Sequence, residues 1–138
     1  MSGIKGRDTK PELMIRTALF REGFRYRLNN SHLPGKPDIL FPRYNAAVLV
    51  HGCFWHGHDC ELFKWPRTRA EFWKSKITSN RERDNRTEQQ LWELGWRTLL
   101  VWECALKGKH RLLFDDVISD ITGWLRGDLD QMIIRGLT

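Results

Sequence analysis

Cysteine is scarce in this chain, with three residues among 138. An odd number cannot all pair within the chain, and a chain of this length buries a core without needing disulfides. Also missing are an apolar run long enough to span a membrane and a secretory segment, so we expect a cytoplasmic protein without a membrane partner. Repeats and low-complexity linkers are absent too, which favours a single domain over residues 1–138.

Negative charge is in the minority as well. Asp and Glu number 17 against 23 Lys and Arg, for a net charge of +6 and a pI near 9.5, which favours a polyanionic partner. Seven basic residues lie around the pair Phe72-Trp73, namely Arg67, Arg69, Lys74, Lys76, Arg81, Arg83 and Arg86. This mixture suits phosphate contacts and base stacking. The alternative is a solvated helix with Trp73 packed inside.

The three cysteines have the character of a metal site. They are Cys53, Cys60 and Cys104. Three thiolates and one imidazole are an established ligand set for structural zinc, and we predict zinc here. His58, two residues before Cys60, is the preferred fourth ligand, but His51 and His56 also lie close in sequence. The alternative is one disulfide with a single thiol left over.

A carboxylate near the middle of the chain suggests a second metal. Asp38 opens the apolar run Ile39–Phe41, where nucleases of the PD-(D/E)xK kind keep their metal-binding aspartate. Those enzymes carry an acid and a lysine on the next strand. Here the next run, Ala46–Val50, has neither and ends at His51. Two histidines, His51 and His56, therefore stand where the usual catalytic pair is missing.

The first half of the chain is predicted to contain a helix and three strands. A capping box at Thr9–Glu12 starts the helix, and Gly23 ends it. Alternating aromatic and arginine residues predict a strand over Phe24–Leu28. The runs Ile39–Phe41 and Ala46–Val50 then form a hairpin.

A second capping box, Thr68–Glu71, predicts a long helix that stops near Gly95. Its inward stripe consists of Trp73, Ile77, Asn80, Asp84, Thr87, Leu91 and Leu94. Asp84 falls on this buried face, where a lone carboxylate is costly, so we expect it to have a partner such as a histidine.

The remaining elements complete an α/β pattern. Arg97–Trp102 reads as a strand, and a final helix capped by Asp115 or Asp116 continues through Leu125. The tail from Asp128 to Thr138 either folds back or is loose. The order α-β-β-β-(metal loop)-α-β-α fits a sandwich around a central mixed sheet.

Together the motifs resemble those of the very-short-patch-repair (Vsr) DNA mismatch endonuclease family. They are Glu12, the segment 33–38, the run 51–60, Phe72-Trp73, and the segments 82–84, 93–97 and 101–106. The resemblance spans about residues 4–124 and implies a variant of the PD-(D/E)xK nuclease fold with a structural zinc. It also implies a Mg²⁺-dependent endonuclease that nicks duplex DNA 5′ to the thymine of a thymine–guanine mismatch, which starts very short patch repair.

The resemblance assigns a catalytic centre by matching motif. Asp38 would bind Mg²⁺ together with the backbone carbonyl of Val50. His56 would generate or orient the attacking water, and His51 and Glu12 would hold the hydrated metal cluster. A histidine is a competent base at neutral pH when lysine is absent.

Other roles follow from the same resemblance. Asp84 would hydrogen-bond a catalytic histidine. The zinc ligands would be Cys53, His58, Cys60 and Cys104. The residues wedged into the base stack beside the mismatch would be Phe54, Trp55 and Trp73, and Lys36 would contact the same region of the DNA. A monomer is expected, with mismatch-repair proteins of the MutL type as candidate partners.

One departure from the family concerns the N-terminus. Members usually carry a further arm before the position of Ile4, whereas this chain begins at Met1-Ser2-Gly3. Two other functions remain open at this point. One is a homing or restriction-type nuclease of the same fold, and the other is a non-catalytic zinc-containing DNA-binding module.

Overall fold

A computed structural model describes residues 10–28 and 32–137 of the chain. The elements, in order, are α1 (Lys10–Arg21), β1 (Ile39–Phe41), β2 (Ala46–His51), α2 (Ala70–Glu93), β3 (Arg97–Trp102), α3 (Phe114–Arg126) and β4 (Gln131–Ile134). The four strands form one sheet in the order β1-β2-β3-β4. β1 is antiparallel to β2, while the other two pairs are parallel, so the predicted mixed sheet is confirmed.

The sheet separates two layers of helices because its strands alternate between two apolar faces. Val48, Leu99 and Val101 lie on one face, in a core that also takes buried side chains of α1 and α3. Leu49 and Leu100 lie on the other face and pack with Leu91 of α2. This two-residue alternation is what a sheet covered on both sides requires.

The hairpin of β1 and β2 is confirmed, with Ile39 opposite Val48. The predicted strand over Phe24–Leu28 is wrong, because Arg27 forms only an isolated bridge to Leu40 in this segment. Its alternation has another cause. Phe24 is buried against the core without joining the ladder, and the arginines beside it point to water.

The helix starts differ from the predicted caps. Thr9 lies outside the described residues. Thr68 is not the cap of α2, since Arg69 holds that position with a left-handed φ of 54° and no side-chain cap bond. α3 is preceded by Leu113, so Asp115 and Asp116 lie within its first turn, where their charge favours the positive end of the helix.

The inward stripe of α2 is confirmed in its middle and wrong at its end. Its buried residues are Ile77, Asn80, Thr87 and Leu91. Trp73 and Asp84 are half-buried. Leu94 is exposed because it follows the last helical residue and no longer faces the sheet.

The tail folds back, which is one of the two alternatives predicted for it. It adds β4 to the edge of the sheet beside β3. The observed order is therefore α-β-β-α-β-α-β. Among residues 10–28 and 32–137, no helix is both long enough and apolar enough to cross a membrane.

Candidate active site and metal centre

An open cleft of about 1100 Å³ lies where the parallel strands β2 and β3 end. Ligands of open α/β sheets commonly bind outside the carboxyl ends of the strands. Residues from five parts of the chain line this cleft, among them Lys36, Asp38, His51, His56, Asp84 and Glu103. Most residues predicted to act on a substrate therefore share one cavity.

Asp38 lies at the edge of β1 with its carboxylate directed at β2. The backbone N–H of Val50 donates a 2.7 Å hydrogen bond to Asp38 Oδ2. Burial raises the pKa of Asp38 to about 7, and the nearby charge of Glu12 adds to that rise, while the Val50 bond opposes it. A half-buried carboxylate beside a fully buried one is costly without a nearby cation, so this pair fits a hard metal such as Mg²⁺.

Glu12 is fully buried in α1. Its Oε2 accepts a 2.8 Å bond from Arg16 Nη1, one turn further along the helix. The arginine offsets part of the cost of burying the acid, and the helix thereby brings a second carboxylate next to Asp38.

His51 and His56 stack face to face, with ring centroids 3.8 Å apart and an interplanar angle of 6°. Burial, and then the neighbouring His56, lower the pKa of His51 to about 3, so this ring is neutral. Within the described part of the chain, the buried Nδ1 of His51 has no hydrogen-bond partner. A water bound to a metal is the kind of group that would satisfy it.

His56 forms the partnership expected for Asp84. Its Nδ1 lies 2.5 Å from Asp84 Oδ2, and a carboxylate only accepts, so Nδ1–H donates. If His56 and Asp84 instead bound one metal ion with bonds of about 2.0–2.1 Å, these two atoms would lie roughly 3 Å apart. The shorter separation therefore indicates a hydrogen bond between them. The other ring nitrogen, Nε2, is left free to take a proton.

The cysteines assemble with a histidine, His58, whose ring stacks on Trp102 at a centroid distance of 4.0 Å. The ligand atoms of Cys53, His58, Cys60 and Cys104 all lie within 4.8 Å of one another. Cys53 Sγ and Cys104 Sγ each lie 3.6 Å from His58 Nδ1. Tetrahedral zinc with bonds of about 2.3 Å to sulfur and 2.0–2.1 Å to nitrogen requires about the same separation, so the group fits zinc.

This geometry decides between the alternatives at the metal loop. All three cysteines are free thiols, so the disulfide alternative is wrong. His58, and not His51 or His56, groups with them. Burial raises the pKa of the Cys53 and Cys104 thiols, and thiolates at these positions therefore need a bound cation.

Phe54, Trp55 and Trp73 form one aromatic cluster beside the cleft. Phe54 lies 5.3 Å from each of the two tryptophan rings, and those tryptophans are 5.8 Å apart. Trp55 is 38% exposed and also lines the cleft. Lys36 is exposed at its rim with a left-handed φ of 47°.

Comparison with known proteins identifies the family of the chain. Residues 1–62 match the family described as DNA mismatch endonuclease Vsr. The DNA mismatch endonuclease Vsr of Escherichia coli strain K12 is 44% identical over 128 residues, which are 93% of this chain and 82% of that protein. The chain belongs to the Vsr family.

Other Vsr relatives are similar as well. The type II nicking enzyme V.NmeAIP of Neisseria meningitidis is 46% identical over 79% of this chain and 78% of its own length. V.XorIIP of Xanthomonas oryzae pv. oryzae is 44% identical over 77% and 78%, respectively. The Vsr-family chain described here is thus a DNA endonuclease, and DNA is its substrate.

α2 holds three consecutive residues of the metal loop, Trp55, His56 and Gly57, through side-chain hydrogen bonds. The bonds from Asn80 and Arg81 were not predicted from the sequence. Asn80 Nδ2 donates a 2.8 Å bond to the carbonyl of Trp55, and Arg81 donates to the carbonyl of Gly57. Asp84 binds His56 between them. The sequence signal for these contacts was the polar Asn80 on the inward stripe of the helix.

The tail closes the cysteine site, a contribution that the sequence did not indicate. Arg135 Nη1 lies 2.8 Å from Asp59 Oδ1, and the guanidinium lowers the pKa of Asp59. The backbone N–H of Gly136 donates a 3.3 Å bond to Cys104 Sγ. Such outer contacts orient metal ligands and tune their basicity.

Gly136→Ala is expected to destabilise the protein, because a Cβ there would lie 2.5 Å from the Cys104 carbonyl oxygen and 2.8 Å from that of His110. Backbone atoms cannot yield cheaply, so we expect a cost of about 1–3 kcal/mol in the free energy of unfolding. Urea unfolding measures it. The matched control is Gly123→Ala in α3, where a Cβ meets nothing within 4 Å. That control should gain about 0.5–1 kcal/mol. Equal stability of the two variants would show that the tail does not pack on Cys104.

Proposed function

We propose that this Vsr-family endonuclease nicks duplex DNA on the 5′ side of the thymine in a thymine–guanine mismatch, with Mg²⁺ as its catalytic metal. The observation that carries the proposal is the convergence of a half-buried carboxylate, a hydrogen-bonded histidine and an aromatic wedge on one cleft. Asp38, His56 and Trp55 all line it. The relatives named above, a mismatch endonuclease and a nicking enzyme, support the same function.

Asp38 would hold the magnesium together with the carbonyl of Val50, whose backbone already lies against that carboxylate. Glu12 and His51 would accept and orient metal-bound waters. The burial of Glu12 beside Asp38 suggests this, as does the Nδ1 of His51, which has no partner among the described residues. The metal would supply charge stabilisation at the scissile phosphate and a more acidic water.

His56 would act as the general base. Asp84 fixes its Nδ1–H, so Nε2 carries the lone pair that accepts a proton from the attacking water. The stacked, neutral His51 keeps the ring in place without adding a positive charge. The arrangement has the logic of a base oriented by a carboxylate, as in hydrolases that use a histidine.

Zinc at Cys53, His58, Cys60 and Cys104 would be structural. Four protein ligands close the coordination sphere and leave no position for substrate. Its role would be to fix the loop 53–60, which carries Phe54 and Trp55 of the aromatic wedge and His56 between its ligands.

Phe54, Trp55 and Trp73 would insert into the base stack at the mismatch, with Lys36 touching the same region. Unstacking costs a few kcal/mol per step and costs less at a mismatched pair, which gives a physical source of selectivity.

Trp55→Ala should weaken binding to mismatched duplex by about 1–3 kcal/mol, the usual value for stacking an aromatic on a base. Thermal stability should change little, because the side chain is 38% exposed. Fluorescence anisotropy with labelled duplex and thermal melting measure the two quantities. A large fall in melting temperature with unchanged affinity would show that Trp55 is a core residue.

Nicking rates on otherwise identical duplexes test the specificity. We expect the duplex with a thymine–guanine pair to be nicked faster than those with thymine–adenine or cytosine–guanine pairs at the same position. Equal rates would favour a restriction-type nuclease, and binding without cleavage of any duplex would favour a non-catalytic module.

We also propose that residues 1–138 form one domain that works as a cytoplasmic monomer, with mismatch-repair proteins of the MutL type as candidate partners. The supporting features are the single four-stranded sheet and the exposed basic residues within 64–76.

A further inference from the structure

The aromatic cluster extends beyond the three wedge residues. Six rings form one continuous surface, here called the aromatic platform, which consists of Phe54, Trp55, Phe63, Trp65, Phe72 and Trp73. Neighbouring ring centroids lie between 4.9 and 5.8 Å apart. Phe63 joins Phe54 to Trp65, and Phe72 touches Trp73. The proposed function gives no role to these three additional rings.

Two of the additional rings are more exposed than the wedge residue Trp55. Trp65 is 51% exposed and Phe72 is 45% exposed, against 38% for Trp55. Large apolar surfaces that face water contribute little to folding, and contiguous ones mark binding sites. Half-buried Phe63 makes the exposed surface of Trp65 continuous with the proposed wedge.

The charge around the platform selects the kind of partner. Residues 62–76 contain five basic side chains against a single acid, Glu71. The five are Lys64, Arg67, Arg69, Lys74 and Lys76, and all of them are exposed. The guanidinium of Arg69 lies 4.1 Å above the ring of Phe72. Cations that alternate with exposed rings match phosphates that alternate with bases, whereas an apolar protein partner would leave these cations without counter-charges.

We infer that Trp65 and Phe72 form a second DNA-stacking surface, which binds nucleotides next to those opened by the wedge. The inference rests on the proposed wedge for its position, since the platform is continuous with Trp55 and Trp73. Stacking tolerates every base, so this surface adds affinity for the strand without adding preference for the mismatch. The basic residues beside it hold the backbone of the same strand.

Trp65→Ala and Phe72→Ala test the inference, with Phe20→Ala as the matched control. Phe20 is 51% exposed and has the guanidinium of Arg25 4.2 Å above its ring, but it packs on Tyr26 of the α1 region, outside the platform. Anisotropy would measure the affinity of each variant for a mismatched duplex, a matched duplex and a single-stranded oligonucleotide.

We expect both platform variants to bind all three DNAs at least about fivefold more weakly than wild type, while Phe20→Ala binds normally. Trp65→Phe should recover most of the loss, because it restores a ring. The ratio of mismatched to matched affinity should stay at the wild-type value in Trp65→Ala and fall in Trp55→Ala.

The inference is overturned if the platform variants bind all three DNAs as tightly as the Phe20→Ala control. That result is also the one expected if these rings bind another protein and not DNA. The wedge can fail separately. If Trp55→Ala keeps the mismatch preference while Trp65→Ala and Phe72→Ala lose affinity, the second stacking surface stands and the proposed wedge does not. Melting curves of each variant confirm that the losses are measured on folded protein.

Discussion

Asp38→Asn is expected to abolish nicking, by about a thousandfold or more, while leaving affinity for mismatched DNA nearly unchanged. The substitution keeps the size of the side chain and removes the charge that would hold Mg²⁺. Losing the metal should raise the barrier to nicking by several kcal/mol, and about 4 kcal/mol corresponds to a thousandfold lower rate. Single-turnover nicking and anisotropy on the same duplex measure the two effects. The affinity should survive because the exposed basic residues within 64–76 are untouched.

The same variant should also change how stability depends on pH in Mg²⁺-free buffer. The pKa of Asp38 is about 7 in the folded chain against an ordinary value of 3.8. The folded state therefore binds more protons than the unfolded state between these values, and stability from this group falls as pH rises through that window. D38N should lack this fall, and urea unfolding between pH 4 and 8 would show it.

The matched control is Asp116→Asn, which removes an exposed carboxylate from the first turn of α3, outside the cleft. It should nick at the wild-type rate. Should D38N nick within about tenfold of wild type, a difference of only ~1.4 kcal/mol in the barrier, Asp38 does not hold the catalytic metal.

Cys104→Ser is expected to lower the melting temperature by about 10 °C or more, because a structural zinc contributes its binding free energy to folding. Cys104 comes from the turn after β3, whereas the other three ligands come from the loop after β2. Losing it therefore disconnects two parts of the chain. Calorimetry, together with zinc analysis of the purified protein, measures the effect, and about one zinc per chain is expected in the wild type.

Two controls separate the metal from the packing around it. A strong chelator should lower the melting temperature of the wild type towards that of the serine variant, and should hardly affect the variant. His110→Gln alters a histidine outside the four-ligand group and should retain both zinc and stability. A serine variant that melts like the wild type, or a wild type without zinc, would contradict the structural role.

Local pattern predicted the central sheet well. Ala46–Val50 alternates between the two cores, and Ile39–Phe41 pairs with it across a short turn, as expected from strand-length apolar runs. Phe24–Leu28 alternates too, yet the buried Phe24 meets Phe41 edge-on at 6.3 Å and does not pair with it. Alternation reports which side chains are buried and does not by itself specify a hydrogen-bonded ladder.

β4 escaped prediction because little of its own sequence requires a strand. Gln131 and Ile133 are exposed, Met132 is partly buried and only Ile134 is buried, so the alternation is weak over four residues. Its place is set by the unpaired edge of β3, which is a property of the whole sheet. The contacts of Arg97 also depend on the fold of the whole chain and could not be predicted. Arg97 donates to the carbonyls of Leu129 and Trp124 and fixes the approach of the tail.

The candidate site divides in a similar way. Residue type and close spacing within 51–60 were enough to mark the histidines and cysteines, and the inward stripe of α2 marked Asp84. Contacts between distant segments were not accessible, such as that of Arg135 with Asp59 or of Asn80 with the Trp55 carbonyl. These depend on how three elements pack, which a single sequence does not encode locally.

Mapping the cut on end-labelled duplexes tests the central claim most directly. Each strand of a duplex with one thymine–guanine pair is labelled in turn and incubated with the protein, with Mg²⁺ present or chelated. A single nick in the thymine strand, on the 5′ side of the mismatched thymine and only with Mg²⁺, is the predicted result. Cleavage of both strands, cleavage at the same rate without Mg²⁺, or an identical cut in the matched duplex would contradict it.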